Sequence, residues 1–141
     1  MAEFTREEVV EIAYKLKGAD LRGLDLSGVH LARANLEEAN LHSANLSRAD
    51  LSNASLVSAV LNGANLRRAQ LFGANLLYAT LYNADLRHAN LHKANLTGAR
   101  YSPRTKWPTG FNALKAGARL VKDEDLPAGP PPIPPPRKED K

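Results

Sequence analysis

Leucine returns at every fifth position from Leu21 to Leu96, sixteen times without an insertion or deletion, and Tyr101 takes the next such place. Alanine stands two residues before each repeat position from Ala34 to Ala99; near the start Leu24 and Val29 interrupt that column. Between alanine and leucine lies most often a small polar residue, as in Asp20, Asn35, Asn45, Asp50, Asn65, Asn75, Asp85 and Asn95. The two residues after each leucine vary. The unit is Ala-(Asn/Asp)-Leu-X-X, and its period is the strongest constraint on the fold. On an α-helix five residues advance about 500°, which scatters successive leucines around the helix. On a flat strand an odd period sends them alternately to opposite faces. A strict register at a period that suits neither element predicts a solenoid in which each unit turns a corner and every leucine and alanine points to one axis.

The variable pair then lies outside. Gly23, Gly28, Gly63, Gly73 and Gly98 all fall at its second position, with Asn53 and Asn83. Those residue types accept positive φ most cheaply, so this position is expected at the corner.

The sixteen units of residues 19–98 resemble the pentapeptide-repeat family. The resemblance implies an all-β solenoid: a right-handed quadrilateral parallel β-helix with four units per coil, about four coils here. Four sides come from the resemblance, because the period alone does not distinguish three from four. The family's members are mostly bacterial.

Outside the repeat, Thr5 and Glu8 form a capping box before a helical stripe of Val9, Ile12, Ala13 and Leu16 that Gly18 ends. The expected organisation is a capping helix within residues 1–18 (the helix itself over 5–17), a β-helix over 19–101, a C-terminal cap over 102–121 and a disordered tail over 122–141. Trp107, Phe111, Leu114, Leu120 and Val121 supply the second cap's apolar residues. Seven prolines within 127–136 make the tail polyproline-like, and Pro132-x-x-Pro135-x-Arg137 matches a weak SH3-ligand pattern.

Composition narrows the function. The 141 residues suit one domain, and the absence of cysteine excludes disulfides, thiolate nucleophiles and thiolate zinc sites. No apolar run approaches the roughly 20 residues of a membrane span, and the N-terminus is too acidic for a signal peptide, so a cytoplasmic protein is expected. His88 and His92 would share a helical face but fall on adjacent sides of a coil, without cysteine or paired carboxylates beside them. No phosphate loop or nucleophile–base spacing is present. No catalytic, metal or cofactor site is expected, and an enzyme is not.

Two sets of surface residues stand out. Val57, Val60, Phe72, Leu77, Tyr78 and Tyr82 put large apolar groups at outward positions, a candidate patch for a protein partner or for self-association as a homodimer. Arg48, Arg67, Arg68, Arg87 and His88 recur at a spacing of 20 and form a basic stripe, which Asp25 and Asp85 are placed to offset. The expected function is a non-enzymatic interaction or scaffold module. The alternatives are a DNA-mimicking regulator of DNA gyrase, which some members of the resembled family are, and binding of nucleic acid or an acidic partner through the arginines. The repeat carries six acidic and seven basic residues, which disfavours DNA mimicry. Nucleic acid is the less favoured partner.

Overall fold

A computed structural model describes residues 4–127. The residue before each leucine pairs in parallel with the residue twenty places on: Asp20 with Asn40, Asp25 with Asn45, His30 with Asp50, Asn35 with Ser55, and so on to Asn75 with Asn95. Four pentapeptides make one turn, and the chain winds as a quadrilateral parallel β-helix. Its longest regular pieces are two-residue strands: Thr80–Leu81 (β1) pairs with Arg100–Tyr101 (β2), and β2 with Arg119–Leu120 (β3).

Five residues suffice because a unit with Asn or Asp at its second place, flanked by rungs on both sides, leaves no amide without a partner. Around Leu46, Asn45 N–H donates to Leu24 O, Leu46 N–H to Asn65 O and Arg48 N–H to Arg67 O, at 2.9, 2.7 and 2.9 Å. Ala49 N–H closes the corner onto Leu46 O at 3.1 Å. The remaining amide, that of Ser47, donates to Asn45 Oδ1 at 3.1 Å. This last bond explains the Asn/Asp column: the side-chain oxygen takes the one N–H that neither ladder nor corner uses. It recurs in Asn35–Glu37, Asn40–His42, Asp50–Ser52, Asn75–Leu77 and Asn90–His92.

Each corner is a type II turn, with left-handed φ at the second variable residue alone. Glycine, Asn53 and Asn83 sit there as the residue types require. So do nine further side chains, including Arg48, Ser58, Arg68, Tyr78 and His88 at φ of 58–64°. Each such residue gives up roughly 1–2 kcal/mol relative to glycine, which the ladder on both sides offsets.

Inside, every repeat leucine from Leu21 to Leu86 is fully buried, and the alanines from Ala34 to Ala84 are at most 2 % exposed. The leucines define four faces. The first carries Leu21, Leu41, Leu61 and Leu81, the second Leu26 to Leu86, the third Leu31 to Leu91, and the fourth Leu36 to Leu96.

At the N-terminal end the helix is shorter than its pattern suggests. The α-helix α1 spans Arg6–Glu11, and after Ile12 the chain tightens to a 3-10 turn at Ala13–Lys15. The tightening brings Ala13 O onto Asn35 N–H at 3.0 Å and Leu16 into the axis. Thr5 and Glu8 exchange the two capping-box bonds, and Phe4 and Val9 are buried. Arg6 donates to the carbonyls of Asp25 and Ser27, and Gly18 N–H to Glu37 O. These contacts stand in for a preceding turn.

Past Tyr101 the winding continues irregularly. Asp85 pairs with Lys106, 21 residues on, and Arg100 with Arg119, 19 on, so the last turn is one residue long at the second face and one short when it regains the first. Buried Ser102 and Thr105 absorb the insertion: Thr105 Oγ1 donates to Leu81 O at 2.7 Å and accepts from Ser102 N–H at 3.0 Å. Trp107 takes the leucine place, edge-on to Tyr101 at 5.3 Å and stacked on Phe111 at 5.2 Å. On the third face the ladder stops at Asn90. Residues 122–127, assigned by composition to the tail, run back along the first face. The prolines from Pro130 and the Pro132–Arg137 pattern lie outside the described residues.

Candidate interaction surfaces

The winding distributes the six apolar candidates over three faces. Val57, Leu77 and Tyr78 share the fourth face, with Val57 and Leu77 in one column and Tyr78 at the next corner. Tyr78 is 57 % exposed, and its ring lies over Gly98 of the following turn. Glu37 and Glu38 precede this strip on the same face, Glu37 accepting from Ser55 Oγ at 3.0 Å. Beyond it a cleft of about 330 Å³ is lined by Tyr78, Thr97, Gly98, Arg100, Gly117 and Arg119. The fourth face thus runs from acidic to apolar, and the cleft at its far end is made basic by Arg100 and Arg119 from the adjoining first face.

Val60 and Tyr82 stand around the corner on the first face. There Tyr82, His42 and Asn62 line a cleft of about 310 Å³ whose far wall is Leu126 and Pro127. The chain's own return covers this region of the patch. Asn62, which composition did not single out, is buried and accepts Tyr82 N–H at 3.0 Å; Thr80 cannot act as the Asn/Asp acceptor of its own unit, and Asn62 serves from the turn before. Phe72 lies on the third face, 5.6 Å from the His92 ring and 5.9 Å from Lys93 Nζ.

The basic candidates all fall on the second face, and a carboxylate divides them. Asp85 accepts from Arg67 Nε at 2.7 Å and from Arg87 at 2.7 and 3.0 Å. Arg67 and Arg87, one rung apart, are held together by the carboxylate between them. Arg48, Arg68 and His88 occupy corners, and a shallow cleft of about 220 Å³ lies among Arg67, Arg68, Arg87 and His88. Asp25 does not join them. It faces Arg6 at 3.9 Å and binds Ser27 instead.

Two carboxylates at the Asn/Asp positions, Asp20 and Asp50, are tuned by the same side-chain bonds that shape the unit. Hydrogen bonds from Arg22, at 2.6 Å, hold Asp20 below the ordinary carboxylate range, and the Ser52 hydroxyl and amide do so for Asp50. A depressed folded value stabilises the native state above the unfolded value and loses that contribution as pH falls through it. The expected result is a melting temperature that is flat from neutral pH to about 5 and drops progressively below about 4. Asp20→Asn should flatten some of that drop, as measured by thermal melts across pH.

Among the described residues no cluster of three or more metal-ligating side chains occurs, and no helix is long and apolar enough to cross a membrane.

Comparison with known proteins supplies the family. The profile of pentapeptide repeats matches in eight copies, over residues 15–53, 49–87 and 64–100. Among solved structures, the chain is similar to the pentapeptide repeat protein Rfr23 of the cyanobacterium Cyanothece 51142, with 42% identity and a TM-score of 0.64 over 64% of this chain and 62% of that one. It is also similar to HetL of the cyanobacterium Nostoc sp. strain PCC 7120, a pentapeptide repeat protein involved in heterocyst differentiation regulation. That match has 39% identity and a TM-score of 0.50 over 57% of this chain and 39% of HetL. The chain thus spans less than two thirds of either structure's length. No curated protein sequence matches it. A right-handed quadrilateral β-helix that acts without catalysis is what these relatives share, and the chain belongs to the pentapeptide-repeat family.

Proposed function

We propose that the chain is a rigid protein-interaction module whose working surface is the fourth face, where Val57, Leu77 and Tyr78 form an apolar strip between Glu37–Glu38 and the cleft that Arg100 and Arg119 line from the adjoining first face. The observation that carries this reading is Tyr78: a large ring left 57 % exposed at a strained corner, beside a row of apolar neighbours. Aromatic residues in such positions are the usual anchors of protein interfaces. A flat β-ladder holds them in fixed register, so a partner meets little conformational cost on this side. The acidic and basic ends would orient the partner along the axis. A second copy laid antiparallel would also match those ends, which makes a homodimer one outcome of the test.

Nucleic-acid binding is the weaker reading, because Asp85 already neutralises the centre of the arginine stripe. DNA mimicry calls for an acidic rod, and the repeat is nearly balanced in charge. The cytoplasm is the compartment that fits a cysteine-free interaction module.

The test is quantitative capture from an extract of the source organism, comparing the native chain with Leu77→Ser/Tyr78→Ser after matching circular dichroism. A protein enriched at least about tenfold less by the variant, a loss of about 1.4 kcal/mol, supports the reading. Untagged copies lost in the same way would identify the partner as the chain itself. Identical captures would refute it.

A further inference from the structure

The third face ends in an incomplete rung. One turn earlier the ladder is complete: Leu71 N–H donates to Asn90 O, Gly73 N–H to His92 O, and Ala69 O accepts Asn90 N–H, at 2.8, 2.9 and 3.0 Å. The equivalent groups one rung on are Leu91 N–H, Lys93 N–H and Ala89 O, and none of the three has a hydrogen bond among the described residues. The chain that would complete the rung leaves the ladder at Pro108, which has no N–H to give. It turns through Gly110 at φ 80° and folds on itself, with Phe111 N–H donating to Pro108 O at 3.0 Å. A groove of about 450 Å³ is left, floored by Ala89 and Leu91 and walled by Pro108 and Phe111.

We propose that this groove is a strand-addition site for an extended, acidic segment of a partner protein. Three consecutive residues in the parallel register of the ladder complete the rung. The first donates its N–H to Ala89 O and accepts Leu91 N–H, and the third accepts Lys93 N–H. Unpaired strand edges are templates for such pairing, and main-chain bonds of this kind supply affinity without demanding a sequence. Sequence preference comes from the rim. His92 and Lys93 flank the edge, both set against the Phe72 ring, and among the described residues no carboxylate lines the groove. A segment with Asp or Glu beside its pairing residues meets that charge; one with Lys or Arg is repelled. The site is on a different face from the Leu77–Tyr78 strip, so either can fail alone.

Amide exchange on the ¹⁵N-labelled full chain tests this directly, with the peptide acetyl-Ser-Val-Glu-Val-Asp-Ser-amide as probe. Without peptide, the Leu91 and Lys93 amides should exchange at least about a hundredfold faster than those of Leu71 and Gly73. Saturating peptide should slow both by about tenfold or more and change the emission of Trp107, which stacks on Phe111. The same peptide with lysine in place of its acidic residues, and the acidic peptide on Lys93→Glu, should bind at least about tenfold more weakly. Leu91 and Lys93 amides already protected without peptide would mean that the edge is occupied, and would overturn the proposal. So would amides left unprotected at millimolar peptide, or equal binding of the acidic and basic peptides.

Discussion

Leu66→Ala and Ala64→Phe should destabilise the chain to a similar extent, by about 3–5 kcal/mol and about 3 kcal/mol respectively, although one empties the axis and the other fills it. Leu66 is fully buried, with Leu46 and Leu86 one rung to either side. Those neighbours cannot close onto a cavity, because their rungs are fixed by Leu46 N–H to Asn65 O and Leu66 N–H to Asp85 O, both 2.7 Å. The cost therefore falls toward the upper end of the range for leucine truncation. Ala64 is 1 % exposed at the same level, and its N–H and carbonyl are both bound, to Leu61 O and from Asp85 N–H. A phenyl ring there has to push neighbouring rungs away from each other. Ala94, half-buried at the end of the stack where the third-face ladder has stopped, provides the contrast: Ala94→Phe should cost less than half as much. Denaturant midpoints followed by far-UV circular dichroism measure all three. An Ala64→Phe midpoint equal to that of the native chain would mean that the axis is not closed.

Gly98→Val is expected to cost about 2–3 kcal/mol, from two sources that can be separated. The first is conformational: Gly98 sits at φ 68°, where a β-branched residue is strained. The second is a collision, since a Cβ at Gly98 would lie 2.5 Å from Tyr78 Cδ1. Gly23 has φ 67° and nothing within 4 Å of the same position, so Gly23→Val carries the conformational cost alone. The difference between the two variants measures how firmly Tyr78 is packed on the next turn. In the Tyr78→Ala background the collision disappears, and the two glycine substitutions should converge. Persistent difference would place the cost elsewhere than in the ring.

The core was legible because a leucine at every fifth residue must be buried, and no single helix or strand can bury them all. The corners were legible through Gly23, Gly28, Gly63, Gly73 and Gly98, whose positive φ the chain also imposes on Arg48 and Tyr78. The number of sides was not, since a period of five is compatible with any polygon; only the pairing of Asp20 with Asn40 counts them. The surface patches were read less well. Spacing by twenty correctly aligns Val57 with Leu77 and Arg67 with Arg87. The same spacing puts Phe72 and Tyr82 on other faces, but it does not tell that Leu126 and Pro127 return over Tyr82. Asp85 was foreseen beside the arginines, whereas Asp25 is drawn to Arg6, a residue outside the repeat whose position no periodicity gives. The open rung left no signal of its own: Pro108 and Gly110 mark a loop, and only the hydrogen-bond pattern shows what that loop leaves unpaired.

Twenty residues to the turn also gives the chain an index. Removal of one pentapeptide, Ser52–Leu56 for example, keeps leucine following leucine along the axis and every amide within its unit. Everything downstream, however, is carried a quarter of a revolution relative to what comes before. Leu77 would leave the face of Glu37, and Arg67 would leave the face of Arg48, while the interior stayed in phase. Removal of a single residue would throw the interior itself out of phase. Stability and surface layout are therefore altered by different lengths of deletion: five residues re-sort the faces, and one breaks the rod.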